Sequence, residues 1–170
     1  SVDGCVAAVH TPERKQLFLF SSRPVMVTDR VFFHLKSDPF DWQDIDSLNG
    51  TRIGATLVYY YGDAFEDAEK KGMITVARSS SDTLNMRMLV KGRIRIFPVS
   101  KDVGYHILRS EFPPEISRLV THHPRKLSSS SFHLVLLKNR ENERLMQSFD
   151  RGFERLQQSG EYDTILAPIK

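Results

Sequence analysis

The residue best suited to bind a ligand is Arg14, in the segment His10-Thr11-Pro12-Glu13-Arg14. An arginine guanidinium presents a planar fork of N–H donors that matches a carboxylate in a bidentate way. The Thr11 hydroxyl is placed to help bind the same carboxylate, and it also makes an ordinary N-cap with Pro12 in the first helical position. The alternative is that Arg14 is a surface arginine on a short turn and has no role in binding. The segment therefore predicts either a carboxylate site or a capped surface turn.

Signatures of catalysis and of metal binding are missing from the sequence. No Gly-x-Ser-x-Gly, His-Glu-x-x-His or P-loop pattern occurs. His122 and His123 are adjacent rather than four residues apart, and the paired carboxylates Asp44 and Asp46 fall on a predicted surface turn. We therefore predict no catalytic residue, no metal site and no cofactor, which means a protein that is not an enzyme.

The composition is that of an ordinary folded protein without a nucleic-acid partner. Hydrophobic residues make up 40% and charged residues 26% of the 170 residues, and the net charge is +3. A nucleic-acid binder concentrates Lys and Arg on one face, whereas here they are spread along the chain. No apolar run approaches the roughly 20 residues that span a bilayer.

Strand and helix patterns alternate along most of the chain. The predicted strands are 5–9, 25–35, 53–58, 73–77, 94–99 and 132–137, and the predicted helices are 13–16, 44–48, 61–71, 82–91, 102–109, a long one ending before Gly160, and 162–166. The run Ser128–Ser131 indicates a surface loop or an extended strand edge. This alternation predicts an α/β fold with a mostly parallel sheet and helices on both faces.

The last long helix shows the clearest amphipathic pattern. Leu145, Met146, Phe149, Phe153 and Leu156 recur at helical spacing on one face. A stripe of Met and aromatic residues is core packing far more often than a cofactor site, so we predict that this face is buried.

Seven segments, in order, resemble the extracytoplasmic solute-binding proteins of polar amino-acid ABC transporters. They are Thr11 to Arg14, Phe20-Ser21, Val27 to Leu35, Leu48 to Gly54, Tyr61 to Phe65, Asp82 to Leu89 with Gly92-Arg93, and Gly160-Glu161-Tyr162. The resemblance covers nearly the whole chain and rests on the order of the segments rather than on any one motif.

The resemblance implies a type II periplasmic-binding-protein-like fold with two lobes, whose lobe one lacks its first strands and helices. Residues 1–35 would be the partial lobe one, 36–131 lobe two, and 132–170 a crossover strand with C-terminal helices that return to lobe one. We therefore expect the chain to be N-terminally incomplete. An incomplete lobe one would expose apolar surface and favour a homo-oligomer.

The resemblance also assigns candidate ligand-binding residues. Arg14 falls on the position whose arginine binds a ligand carboxylate, and His10 flanks it, although a lone histidine there is more often packed than in contact with ligand. Tyr59, Tyr60 and Tyr61 stand near a position where the resembled proteins commonly carry small residues. They would fill the cleft or stack on a flat ligand, unless they are core residues at a strand end.

The sharpest departure from the resembled proteins is Ser100, which stands where they carry an aspartate that binds the ligand ammonium. A hydroxyl cannot neutralise an ammonium in a desolvated cleft, where an unpaired charge is costly. The resemblance therefore implies a ligand carboxylate at Arg14, while Ser100 puts recognition of an α-amine in doubt.

Three functions follow from the resemblance. The first is a periplasmic solute-binding protein that captures a small polar, carboxylate-bearing ligand by hinge closure and delivers it to the membrane permease of an ABC transporter. The second is a ligand-sensing domain of the same fold. The third is a degenerate fold that binds no small molecule and acts through protein contacts.

Overall fold

The computed structural model describes residues 4–9, 12–57 and 59–167. Its strands are β1 Gly4–Val9, β2 Phe18–Phe20, β3 Met26–Leu35, β4 Arg52–Thr56, β5 Thr75–Ser79, β6 Ile96–Ser100 and β7 Val120–Leu137. Its α-helices are α1 Pro12–Leu17, α2 Asp63–Lys70, α3 Asp82–Val90, α4 Lys101–Glu111, α5 Pro114–Ser117, α6 Arg140–Gln158 and α7 Glu161–Leu166. The predicted α/β class is confirmed.

The chain divides into two compact units, residues 1–28 with 129–170 (unit 1) and residues 29–128 (unit 2). In unit 1, β1 and β2 both pair antiparallel with the last part of β7. Helix α6 begins where the Asn139 side chain accepts a hydrogen bond from the Asn142 amide at 2.8 Å, an ordinary N-cap. Val135, Leu136 and Met146 are the buried apolar residues of this unit among those described.

Unit 2 is built on a mixed sheet. Strand β4 is parallel to β5 on one side and to β6 on the other, and β3 pairs antiparallel with β6. The chain therefore leaves β4 in one direction through α2 and crosses back over it through α3. Because such crossovers are right-handed, helices α2 and α3 lie on opposite faces of the sheet.

Two separate cores confirm that placement. Residues that alternate along β3 face opposite sides of a strand: Phe33 packs with α3 and α4, and Phe32 packs with α2. Gly54 of β4 faces α3 so closely that a Cβ there would meet the Asn85 side chain at 3.1 Å. We call the two sides the α3 face and the α2 face.

Several element bounds differ from the prediction. Strand β7 begins at Val120 rather than at residue 132 and includes the serine run. These residues show no apolar alternation, and they are extended because their main chain pairs with neighbouring strands. Helix α2 begins at Asp63 after Gly62, whose φ of 106° an L side chain rarely adopts.

The predicted buried face of α6 is only partly correct. Met146 is buried, whereas Leu145 is 54% exposed because it lies at the edge of the apolar stripe. Within the described ranges, no helix combines the length and the apolar character that a membrane span requires.

Candidate functional site

The carboxyl ends of β4, β5 and β6 form one edge of unit 2. They place Thr56, Ser79 and Ser100 along this edge. The connections that follow β4 and β5 lead to strands on opposite sides of β4, which makes this edge a topological switch point. Ligands of open α/β sheets bind outside the carboxyl ends of the strands at such a point. Polar side chains lie at this edge on both the α3 face and the α2 face of the sheet.

On the α3 face, Thr56, Asp82 and Asn85 form what we call the α3 cluster. The Thr56 hydroxyl donates a short hydrogen bond to Asp82 Oδ1 and accepts one from Asn85 Nδ2 at 3.0 Å. Thr56 is 5% exposed and Asn85 is fully buried. The hydroxyl is thus used both as donor and as acceptor, which fixes the end of β4 to the first turn of α3.

The N-terminus of α3 strengthens this attachment. Ser81 is the N-cap, and its hydroxyl accepts from the Leu84 amide at 3.2 Å. The Ser79 hydroxyl donates to the Ser81 carbonyl at 2.9 Å. The bond from Leu84 satisfies an amide that the helix itself leaves unpaired, so side chains at the ends of β4 and β5 both contact the first turn of α3.

On the α2 face, Arg30, Tyr61 and Ser100 form the Arg30 cluster. The Arg30 guanidinium carbon lies 4.8 Å from the centre of the Tyr61 ring, within the range of a cation–π interaction. Arg30 Nη1 donates to the Tyr60 carbonyl at 2.9 Å. Two contacts of different kinds therefore hold the guanidinium at this edge.

Ser100 is the direct cross-strand partner of Arg30. The register of β3 and β6 pairs their Cα atoms, and directly opposite residues of an antiparallel pair project to the same face. The Ser100 Oγ is buried and makes no hydrogen bond with any described residue. A half-buried cation and a buried, unpartnered hydroxyl are therefore neighbours.

The charges around Arg30 differ from those around Arg78 and Arg95 of unit 2. Arg78 makes ion pairs with Glu66 and Glu69, and Arg95 makes one with Asp38. Among the described residues, no carboxylate oxygen lies within the 4.0 Å ion-pair distance of Arg30. The Arg30 charge is thus positioned without being neutralised by a neighbouring acid.

The three predicted tyrosines have different environments. Tyr61 is 3% exposed, and its hydroxyl accepts a hydrogen bond from the Thr56 amide at 2.8 Å. Burial raises the pKa of the Tyr61 phenol. Tyr60 is 61% exposed and donates to Asp63 at 2.6 Å, a bond that raises its pKa, and Tyr59 is 46% exposed. Tyr61 is therefore a core residue, while the other two side chains are open to solvent.

The remaining predicted residues belong to different units or lie outside the described residues. Ser100 is at the carboxyl edge of unit 2, beside Arg30. Arg14 is an exposed residue of α1 in unit 1. His10 and Thr11 lie outside the described residues. In the part of the chain that the structure describes, no three side chains of the types that bind metals come together.

Sequence reasoning missed Arg30 and Thr56. Arg30 is one polar residue of an alternating strand, and only the register with β6 sets it beside Ser100. The Asp82-x-x-Asn85 spacing places two polar side chains near one end of α3, but it does not point to Thr56, which lies at the end of β4 and meets them only in the folded chain.

Solved structures share this arrangement of elements. Substrate-binding domain 2 of GlnP from Lactococcus lactis, in its open conformation, is similar with a TM-score of 0.71 and 21% identity, covering 98% of this chain and 68% of that chain. The second substrate-binding domain of a protein assigned as an amino-acid ABC transporter from Streptococcus pneumoniae gives a TM-score of 0.73 and 17% identity, with coverages of 98% and 71%.

A histidine kinase sensor domain with similarity to periplasmic binding proteins is also similar, with a TM-score of 0.70, 15% identity and coverages of 98% and 69%. No family model and no curated protein matches the sequence. The chain spans about two-thirds of the length of these solved structures. It therefore has the mixed α/β periplasmic-binding-protein-like fold of amino-acid substrate-binding proteins, over about two-thirds of their length.

Proposed function

We propose that this chain is an extracytoplasmic solute-binding domain that captures a small, polar, carboxylate-bearing ligand in the periplasm by hinge closure and delivers it to the permease of an ABC transporter. The observation that carries the proposal is the polar carboxyl edge of unit 2. It occurs at the switch point of a sheet whose fold is that of amino-acid substrate-binding proteins.

Arg14 is the proposed partner of the ligand carboxylate. Arg14 is an exposed residue of α1, and the guanidinium fork suits a carboxylate. We include His10, Thr11, Tyr59, Tyr60 and Ser100 in the proposed ligand-binding set. We also include Tyr61, whose ring contacts the Arg30 guanidinium.

A thermal-shift screen tests this function. Amino acids and matched carboxylates without the α-amine are added to the chain, and a ligand at ~100 times its dissociation constant stabilises by roughly 2.7 kcal/mol. For a chain of this size we expect the unfolding midpoint to rise by about 5–10 °C. Arg14→Ala should abolish the rise, and Lys15→Ala, which changes an exposed neighbour on the same helix, should preserve it. A screen without any rise in the wild type would overturn the proposal.

A sensing role is the second candidate, favoured by the similarity to the histidine kinase sensor domain. Membrane vesicles from the source cells separate the two roles once a ligand is found. Accumulation of labelled ligand that depends on the added chain supports transport, whereas ligand binding without accumulation supports sensing. A degenerate fold that acts through protein contacts is supported if neither binding nor accumulation occurs.

We also propose a homo-oligomer through unit 1. Val6, Leu17, Leu145 and Ile165 are each more than half exposed in this unit, and exposed apolar residues favour association. Sedimentation at several concentrations tests it, and a monomer throughout would contradict it.

A further inference from the structure

Two contacts hold the Arg30 side chain, and neither neutralises its charge. The contact with the Tyr61 ring and the hydrogen bond to the Tyr60 carbonyl fix the guanidinium, yet the carbonyl engages Nη1 alone. A guanidinium has five N–H donors, so most of its donors are left for another acceptor. Neither contact supplies a negative charge.

Arg78, the other half-buried arginine among the described residues of unit 2, has a structural role in ion pairs. Arg78 approaches Glu69 in a short ion pair at 2.5 Å and Glu66 at 3.3 Å. Its charge is neutralised within the fold, and the hydrogen bond to Glu69 raises its pKa. Arg30 has the same partial burial and no such acid among the described residues, which points to an anion that comes from outside the chain.

Ser100 supplies a second group for the same anion. Its hydroxyl is buried without a described partner, and the cross-strand register sets it beside Arg30. Ser100 precedes α4 directly and makes no side-chain cap bond to it, so its hydroxyl is not used by the helix. Asp82, an acid at this edge on the other face, accepts a hydrogen bond from Thr56.

Resting on the proposed solute-binding function, we propose that Arg30 and Ser100 bind an anionic group of the ligand, so that unit 2 selects a dicarboxylate. The second carboxylate of such a ligand binds the Arg30 cluster. A ligand with an ammonium at that end would meet the Arg30 charge without a neutralising acid, and like charges in a partly desolvated site repel. Arg30 is thus a specificity-determining residue.

Matched pairs of ligands test the proposal on the unmodified chain. Succinate, glutarate and adipate are titrated by calorimetry beside their monoamides, which keep the shape and remove one charge. We expect at least one diacid to bind about tenfold to a hundredfold more tightly than its monoamide, as for loss of a charge-assisted hydrogen bond. Affinities within twofold for every pair, or tighter binding of lysine than of any diacid, would overturn the proposal.

Variants at Arg30 test whether this residue causes the preference for a diacid over its monoamide. Arg30→Gln should weaken the diacid about tenfold or more and leave its monoamide within about threefold, and Arg30→Lys should recover part of the loss. Arg52→Gln is the matched control, because Arg52 is an exposed arginine at the opposite end of the same sheet. If Arg30→Gln does not fold, the comparison of diacid with monoamide on the wild-type chain still decides.

Failure of this proposal is distinguishable from failure of the proposed function. Arg14-dependent binding of amino acids or monoacids, with Arg30→Gln unchanged for every ligand, would overturn the role of Arg30 and leave the solute-binding function standing. Absence of binding by every acid and amino acid tested would overturn both.

Discussion

The two clusters at the carboxyl edge of unit 2 lie on opposite faces of one sheet and differ in how their hydroxyl groups are used. In the α3 cluster the Thr56 hydroxyl donates to Asp82 and accepts from Asn85, whose buried Oδ1 has no partner among the described residues. In the Arg30 cluster a guanidinium has no acid beside it among the described residues, and the Ser100 hydroxyl has no partner there. The Thr56 hydroxyl is therefore used within the fold, whereas the proposed function leaves the Arg30 guanidinium and the Ser100 hydroxyl to a ligand.

Physical chemistry accounts for this division. A buried polar group that is hydrogen-bonded contributes to stability, and one that is not costs about 1–3 kcal/mol. A ligand that supplies the missing partner offsets this cost. Substitutions in the two clusters should therefore separate: those in the α3 cluster should lower the free energy of unfolding, and those in the Arg30 cluster should change binding.

The largest loss of stability is expected for Thr56→Val. The change keeps the shape of the side chain, removes the donor to Asp82 and leaves the buried Asn85 amide unpaired, so the free energy of unfolding should fall by about 2–3 kcal/mol. Urea unfolding followed by circular dichroism measures it. Thr56→Ser retains the hydroxyl and should lose much less, and equal losses for both variants would contradict the hydrogen-bonded role.

Asn85→Ala should give the second largest loss of stability, with the free energy of unfolding lower by about 2 kcal/mol. It removes the donor to Thr56 and leaves space beside Gly54 in a fully buried position. Calorimetric unfolding is the measurement, and Asn49→Ala, at an exposed position, should change stability by less than about 0.5 kcal/mol. Stability of Asn85→Ala equal to that of the wild type would show that the α3 cluster does not hold the edge.

Arg30→Gln should cost only about 1 kcal/mol in the absence of ligand. The loss comprises a cation–π contact at a half-buried site and a hydrogen bond to a carbonyl. Chemical unfolding without and with a diacid tests it, because the difference between variant and wild type should grow when the ligand is present. A large loss without ligand would make Arg30 a structural residue.

Ser100→Ala should have the smallest effect and the opposite sign. Its Oγ is buried and unpartnered among the described residues, so removing it relieves an unpaired polar group and should leave stability unchanged or raise it by up to about 1 kcal/mol. Thermal unfolding detects the change. A loss of more than about 1 kcal/mol would show that the hydroxyl already has a structural partner.

The fold could be predicted from the sequence because its signals are local. Apolar stretches that end at Gly72 or Gly92 mark where strands and helices alternate. Strand β7 could not be predicted in full, because Pro124 and the serine run carry no apolar alternation, and the strand depends on pairing with its neighbours.

The candidate site was predictable only in part. Ser100 and the tyrosines could be named because they fall at or near positions that bind the ligand in the solute-binding proteins that the sequence resembles. Arg30 could not, because its proximity to Ser100 depends on the register of two strands that are distant in sequence. A shift of one residue would turn every side chain of a strand to the other face, and the sequence of a single strand does not specify its register.

The most direct test of the central claim observes the Arg30 guanidinium itself. The Nε–Hε resonance of Arg30, assigned by its loss in Arg30→Gln, is followed by nuclear magnetic resonance during titration with the tightest-binding diacid. We expect it to shift and saturate with the diacid, and to move little with the monoamide, while the amides of Asp82 and Asn85 stay near their original positions. An unchanged Arg30 resonance, when other signals report saturable binding, would contradict the account.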